Sequence, residues 1–412
     1  MTLTYIWMSF FLLSFIVAFI KWAFLGDHQI LPALVEGIFK AANDGFDISL
    51  KLVGVMALFL GFMNIGERAG AIRFLSRIVG PFFSRLFPDI PKHHPATGQM
   101  MMNFSANLLG LDNAATPFGI KAMESLQELN QNKDVASNAQ LMFMALHASG
   151  LTLIPVSTIA MRASVKMPAA NPTDIFVPCM IVTFAATLAA LCIMAYKQKI
   201  NLLQPVLLAW VGGLSAGVGL LVWYLTTLDQ HSIQLFSNTL SSGLILLIFL
   251  AFLLGGWRKK VNMFEAFVEG AKGGFEIAIR IIPYLIAMLV AISVLRNSGI
   301  FSYLIDGLRH LFGLTGMNTD FVESLPTAIM KPLSGAGARG MMVEAMNTYG
   351  TDSFIGRLSS IFQGTNDTTF YVVAVYFGAI SVKNTRYAIP AMLLADLVGI
   401  ITAILVGYLF FH

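Results

Sequence analysis

Gly45-Phe46-Asp47-Ile48 returns as Gly274-Phe275-Glu276-Ile277, 229 residues further along the chain. The same register pairs Ala69-Gly70 with Ser298-Gly299. Further on, Lys121-Ala122-Met123 pairs with Glu344-Ala345-Met346, and Val177-Pro178 with Ile389-Pro390. The chain is written twice, and each copy has a Gly- and Asn-rich interruption inside hydrophobic sequence. Duplicated halves with corresponding interruptions are the strongest sequence pointer to a transporter binding site.

The 412 residues are 57% hydrophobic and only 12% charged, with a mean hydropathy of +0.74. A soluble domain carries about 25% charged residues. So apolar a chain has no surface to offer water, and its solvent is lipid. The net charge of +4 fits Lys and Arg gathered in cytoplasmic loops, and no nucleic-acid partner is expected. Cys179 and Cys192 share one apolar segment, which rules out a disulfide framework and reads as packing. The apolar stretch from Tyr5 to Phe24 has no basic leader and no small-residue cleavage site, so it reads as an uncleaved helix.

Nine stretches are long enough to span as helices: 4–24, 46–65, 137–161, 174–196, 204–227, 235–256, 275–296, 354–379 and 387–411. Lys197, Lys199 and Arg258-Lys259-Lys260 put 197–203 and 257–262 in the cytoplasm. Counting outward places 66–94 and 380–386 there too, with the N-terminus. Arg162, Lys166, Arg309 and Arg357 fall outside this pattern. The count requires segments 95–130 and 319–350 not to cross. Each is apolar with a broken middle, Gly110 to Pro117 and Lys331 to Gly340, and reads as a re-entrant hairpin. Irregular backbone at membrane depth survives only where protein or a watery cavity surrounds it. The copies begin five spans apart, an odd number, so they face opposite ways. The predicted fold is an all-α polytopic membrane protein: an inverted repeat with two re-entrant helical hairpins and about nine transmembrane helices. Segments 30–44, 262–274, 70–87 and 299–314 read as amphipathic interfacial helices.

Polar groups at bilayer depth are costly and mark function. The first hairpin offers Asn103, Ser105, Asn107, Asp112, Asn113 and Thr116; the second offers Lys331, Ser334 and Arg339. The span after each hairpin has a polar break. In the first copy it holds His147, Ser149, Gly150 and Thr152, with Pro155 behind it. In the second it is Gln363-Gly364-Thr365-Asn366-Asp367-Thr368-Thr369. Low helix propensity and side-chain competition for the backbone predict local unwinding here. Exposed helix ends and free carbonyls then make a polar pocket. The alternative is that these residues only bond neighbouring helices, with Asp112 and Asp367 neutralising Arg339 and Lys331. Asp396 reads either as a proton carrier or as a buried partner. Gly335 to Gly340 matches a dinucleotide pattern but follows no strand. Gly213-Leu214-Ser215-Ala216-Gly217 matches a hydrolase elbow, yet inside an apolar span it reads as a close-packing small-residue motif. No metal cluster, organic cofactor or catalytic constellation is expected, so the chain is not read as an enzyme.

The stretch Asn107 to Gly119 resembles the signature of spore maturation protein A. Met330 to Met342, with Gln363 to Tyr371, resembles that of spore maturation protein B. The resemblance implies a fusion: residues 1–200 an A-like gate repeat, 201–234 a connecting helix, and 235–412 a B-like gate repeat. Such proteins belong to the nucleoside-recognition or gate-domain group, distantly similar to concentrative nucleoside transporters, whose hairpins and unwound helices enclose the substrate. This chain departs from those transporters at Leu111-Asp112-Asn113, where they place a Gln-Thr-Glu-like run. The resemblance implies a secondary-type transporter in the bacterial cytoplasmic (inner) membrane, with a midplane site between the repeats. The solute would be a small polar molecule, a nucleoside or an anionic metabolite, and sodium or proton the coupling ion. The competing reading is a non-transporting membrane protein of envelope or spore maturation that keeps the gate fold. Homo-oligomerisation is left open.

Overall fold

The computed structural model describes residues 2–412 apart from 92, 93, 111, 315 and 317; the side chains of residues 2–4, 6, 112–114, 230 and 280, Asp112 and Asn113 among them, also lie outside the described residues. α1 (Thr2–Phe24) is largely apolar, with Lys21 near its end as its one charged residue. α2 (Ile30–Ala69) runs 40 residues, about 60 Å at 1.5 Å per residue. Gly70, at φ 88°, then turns the chain into α3 (Ala71–Leu86), which buries Ile72, Ser76, Val79, Phe83 and Leu86 along one stripe. α4 (Pro95–Leu108) and α5 (Asp112–Leu129) pack along each other across a turn at Gly110, where φ is 72°. A Ser137–Gln140 capping box starts α6 (Asn138–Ala148). Next come α7 (Val156–Ser164), α8 (Phe176–Gln198), α9 (Pro205–Thr226), α10 (Gln230–Arg258) and α11 (Met263–Asn297). Gly299, at φ 87°, starts α12 (Ile300–Gly313) as Gly70 starts α3. A 3-10 turn (Val322–Ser324) leads into α13 (Leu325–Met330) and α14 (Gly335–Tyr349). The chain ends with α15 (Phe354–Gly364), α16 (Thr369–Ala379) and α17 (Ala388–Phe411).

Every regular element among the described residues is helical, apart from an isolated bridge between Val135 and Asn384. Seven helices among them are long and apolar enough to cross a membrane: α1, α2, α8, α9, α10, α11 and α17. The protein is an all-helical integral membrane protein. The sequence led us to expect about nine spans. The two that differ, 137–161 and 354–379, are each divided, into α6 and α7 and into α15 and α16. Gly150 (φ 59°) and Pro155 break the first, and Asn366 (φ 52°) breaks the second. A second correction concerns segments 30–44 and 262–274. They are not separate interfacial helices but run on into the apolar parts of α2 and α11, the helix continuing through Asn43-Asp44-Gly45 in one and Gly273-Gly274 in the other. A third concerns Gly213 and Gly217. A Cβ at either would meet nothing within 4 Å, so this pair packs against no described residue.

The chain forms two compact units, and each draws on both halves of the sequence. The first unit comprises Met1–Ala57, Ser157–Pro172 and Gly273–Gln363. In it α2 and α11 run antiparallel in close contact. A Cβ at Gly37 would meet Asn297 and Ser293, one at Gly45 would lie 2.9 Å from Ile286, and one at Gly274 would lie 2.6 Å from the Ala57 backbone. α1 is anchored by Trp7 Nε1 donating to Ala287 O at 3.0 Å and Lys21 Nζ donating to Ser298 O at 2.8 Å. Arg162 is fully buried, with donors to Pro172 O, Thr351 O, Ser360 Oγ and Asp352.

The second unit comprises Leu58–Val156, Thr173–Lys272 and Gly364–His412. Its core interleaves α3, α4, α5, α6, α8, α16 and α17 through residues such as Phe83, Met100, Met123, Phe143, Met194, Tyr376 and Met392. α8 and α17 lie along each other. Gly61 packs against Phe267, and Asn64 Nδ2 donates to Ala266 O at 2.6 Å.

Candidate functional site

In the second unit the polar residues of α4 converge on the end of α6. Asn103 and Asn107 are four apart and so share one face of α4. His147 occupies the last turn of α6. Asn103 Nδ2 donates to Ala115 O of α5 at 2.7 Å, while its Oδ1 lies 3.1 Å from His147 Nδ1. Asn107 Nδ2 lies 2.7 Å from the same ring nitrogen. The Tyr376 ring of α16 meets the imidazole edge-on at 4.7 Å between centroids. On the ring's far side, His147 Nε2 is 3.7 Å from Asp367 Oδ2. The histidine side chain is 6% exposed and the aspartate 44%, so the pair runs from core to a wetter edge.

Backbone contacts join the breaks. Leu153 N–H donates to Leu108 O at 2.8 Å, tying the α4–α5 turn to the first break. A Cβ at Gly110 would lie 2.7 Å from Ile154 O, a separation no side chain tolerates. Asp367 N–H donates to Ala148 O at 2.8 Å, tying the second break to the end of α6. Gly150 lies against Asn366, where an added Cβ would be 3.2 Å from the asparagine Cα. Aligning His147 with Gln363 aligns Gly150 with Asn366, so corresponding positions of the two breaks touch, both in the left-handed region.

Behind this junction sits Asp396 of α17, 5% exposed. It accepts from Asn366 Nδ2 at 2.9 Å and from Thr369 Oγ1 at 2.6 Å. Asn366 Oδ1 is buried and accepts no hydrogen bond among the described residues. Gly399 makes room for this amide: a Cβ added there would fall 3.1 Å from Asn366 Nδ2.

Of the residues expected from sequence, Asn103, Asn107, His147, Asn366 and Asp367 meet in this cluster. Thr116 follows Ala115 on α5, and Thr365 is buried in the break. Ser149 instead bonds the Leu146 carbonyl one turn back, at 3.0 Å. Thr368 is the N-cap of α16 without a side-chain capping bond. Asp112 and Asn113 lie outside the described side chains. The remaining four belong to the first unit. There Lys331 Nζ donates to Gln363 O at 2.7 Å, at the C-terminal end of α15, where a cation suits the helix dipole. Gln363 Oε1 is buried and accepts no hydrogen bond among the described residues. Ser334 caps α14 by accepting from Gly337 N–H at 3.0 Å, and Arg339 lies on the same helix. Sequence reasoning missed Tyr376, an ordinary aromatic in an apolar helix. It weighed Asp396 without choosing it, although a lone acid in an apolar helix was the available signal.

Comparison with known proteins fits this arrangement. The profile of the family described as "Gate: Nucleoside recognition" matches residues 49–166 and 278–383, more than half of the chain. The two matches begin 229 residues apart, the register of the sequence repeat. Spore maturation protein B of Bacillus subtilis (strain 168) is 47% identical over 174 residues, covering 42% of this chain and 96% of that protein. Spore maturation protein A of the same strain is 43% identical over 161 residues, covering 39% of this chain and 81% of that protein. No solved structure matches. With one gate match in each half and likeness to both maturation proteins, as an A–B fusion would have, the chain belongs to the gate, or nucleoside-recognition, family.

Proposed function

We propose that the protein is a secondary-type transporter for a small polar solute, built as an inverted repeat whose two broken helices enclose the site. The observation that carries this reading is the junction of the breaks. Gly150 of one copy lies against Asn366 of the other, among His147, Asp367 and the open acceptor of Asn366. Like positions touch where a pseudo-two-fold axis passes. The α2–α11 contacts support the same axis. Advancing Gly45 by 229 gives Gly274, and advancing Ala57 by 229 gives Ile286, so Gly45–Ile286 and Ala57–Gly274 are one contact seen from each copy.

On this reading 1–200 and 235–412 are the A-like and B-like repeats, with 201–234 joining them across the cytoplasmic membrane. The N-terminus is cytoplasmic, and α4–α5 and α13–α14 are re-entrant. Single cysteines test the topology. Replacements at Asp89 and Asn132 should both react with an impermeant maleimide from the cytoplasm, and those at Asn318 and Thr348 both from outside. These four positions are exposed. Opposite-side labelling within either pair rules out that hairpin.

The family description makes nucleosides one solute class to test, and the cationic Lys331 makes small carboxylates the other. Purified protein should gain thermal stability with a member of one class, by about 2.7 kcal/mol at a hundredfold excess over Kd. The names of the relatives favour a second reading, a maturation protein without transport. Indifference to every solute, together with no flux in vesicles, would establish that reading instead.

A further inference from the structure

The second unit has a cavity of about 330 Å³ away from the junction of the breaks, at the small end of the range for ligand pockets. Three stretches far apart in sequence wall it: the end of α3 with the turn after it, from Arg85 to Asp89; the first turn of α6; and the α8–α9 connection. Both α8 and α9 are long and apolar enough to cross a membrane. α8 ends at Gln198 and α9 begins at Pro205, so the cavity lies where two spans leave the hydrocarbon, at the depth of lipid headgroups. We propose that this cavity holds the headgroup of an anionic phospholipid. The proposal does not depend on the transport reading.

The lining is rich in donors. Arg85 and Lys199 bring two positive charges, and neither forms an ion pair among the described residues, so both are available to a phosphate. Asn138 Oδ1 accepts from Arg386 Nη1 at 2.9 Å, and Asn201 Oδ1 accepts from the Leu203 N–H at 2.9 Å. A guanidinium and a backbone N–H can only donate, so both amide oxygens are fixed and both NH2 groups are left as donors. Arg386 also places a third positive charge one bond behind the wall. Gln198 Nε2 donates to Asn138 O at 2.9 Å, tying the end of α8 to the start of α6. Asp89 is the one acid on the wall.

Two positive charges against one negative favour an anionic headgroup over a zwitterionic one. Phosphatidylglycerol fits the chemistry: its phosphodiester suits the cations and amides, and its hydroxyls suit Asp89. Leu203 and Leu208, on either side of the lining residue Gln204, are exposed and give an acyl chain apolar surface beside the cavity. Arg85 and Lys199 belong to 66–94 and 197–203, the segments that the count of basic residues places in the cytoplasm. Basic pockets between span ends on that side are a recurring way of holding anionic headgroups.

The test is native mass spectrometry of the full chain in detergent, titrated with phosphatidylglycerol. We expect a saturable site. Arg85→Gln and Lys199→Gln should each weaken it about five-fold, the usual worth of one basic residue at an anionic membrane surface. Arg85→Lys should keep most of the affinity. Arg73→Gln with Arg77→Gln removes two exposed charges from α3 outside the cavity and should leave binding unchanged. Arg85 and Lys199 are themselves exposed, and unchanged melting of the lipid-free variants would confirm that they fold. Equal weakening by the Arg73 and Arg77 pair would mean diffuse attraction and overturn the proposal. So would the lack of a saturable site, or phosphatidylethanolamine binding as tightly as phosphatidylglycerol. Glycerol 3-phosphate separates lipid from soluble phosphate. We expect it not to displace the lipid at equal concentration; displacement would assign the cavity to a soluble phosphate and overturn the lipid assignment.

Discussion

Asp367→Asn should cut solute uptake in reconstituted vesicles by roughly five- to 150-fold, the span of typical coupling free energies of about 1–3 kcal/mol between two sites. The replacement keeps the size and the backbone of the residue. Its N–H still reaches Ala148 O, and the neighbouring bonds from Asn366 and Thr369 to Asp396 are untouched. What goes is the charge opposite His147 Nε2. Because the carboxylate is 44% exposed, solvent screens the pair, and the loss of stability should stay within about 1 kcal/mol. Uptake and thermal unfolding measured on one preparation separate the roles. A protein that melts normally and transports normally refutes a coupling role, and one that melts much earlier while transporting normally makes Asp367 a purely structural partner.

Arg162→Met should be the most damaging single change to stability, by roughly 3–5 kcal/mol. The guanidinium is fully buried and serves Pro172 O at 3.3 Å, Thr351 O and Ser360 Oγ at 3.2 Å, and Asp352 Oδ1 at 3.4 Å. Methionine fills much of the volume but leaves several acceptors unserved in a site closed to water. Arg162→Lys should recover little, since one ammonium cannot reproduce a planar fork aimed at separate acceptors. Denaturation of purified protein would show this as a large drop in melting temperature. A drop of under a degree or two would mean that the interior relaxes around the loss.

Arg162 also shows where sequence reading stops. It was one of four basic residues outside the cytoplasmic pattern, and each of the four forms an ion pair in the first unit. Arg162 and Arg357 share Asp352, Lys166 pairs with Asp44, and Arg309 pairs with Glu323. Charge counting along loops sees the cation but not its distant partner.

The lipid solvent, the duplication and the positions of the breaks were legible from the chain alone. Hydropathy is a sum over neighbours, and Gly150, Pro155 and the run from Gln363 to Thr369 act on the backbone within a turn or two. Those signals survive without knowledge of the fold. Tertiary structure decided the rest. It carried α2 and α11 unbroken through segments that looked interfacial, because burial against each other sustains a helix where local polarity argues for an end. It left Gly213 and Gly217 without a packing partner among the described residues. It also chose which polar groups meet: His147 with residues 40 and 44 positions away, and Asn366 with Asp396. Such pairings are set by how helices pack, and spacing along the sequence does not encode that directly.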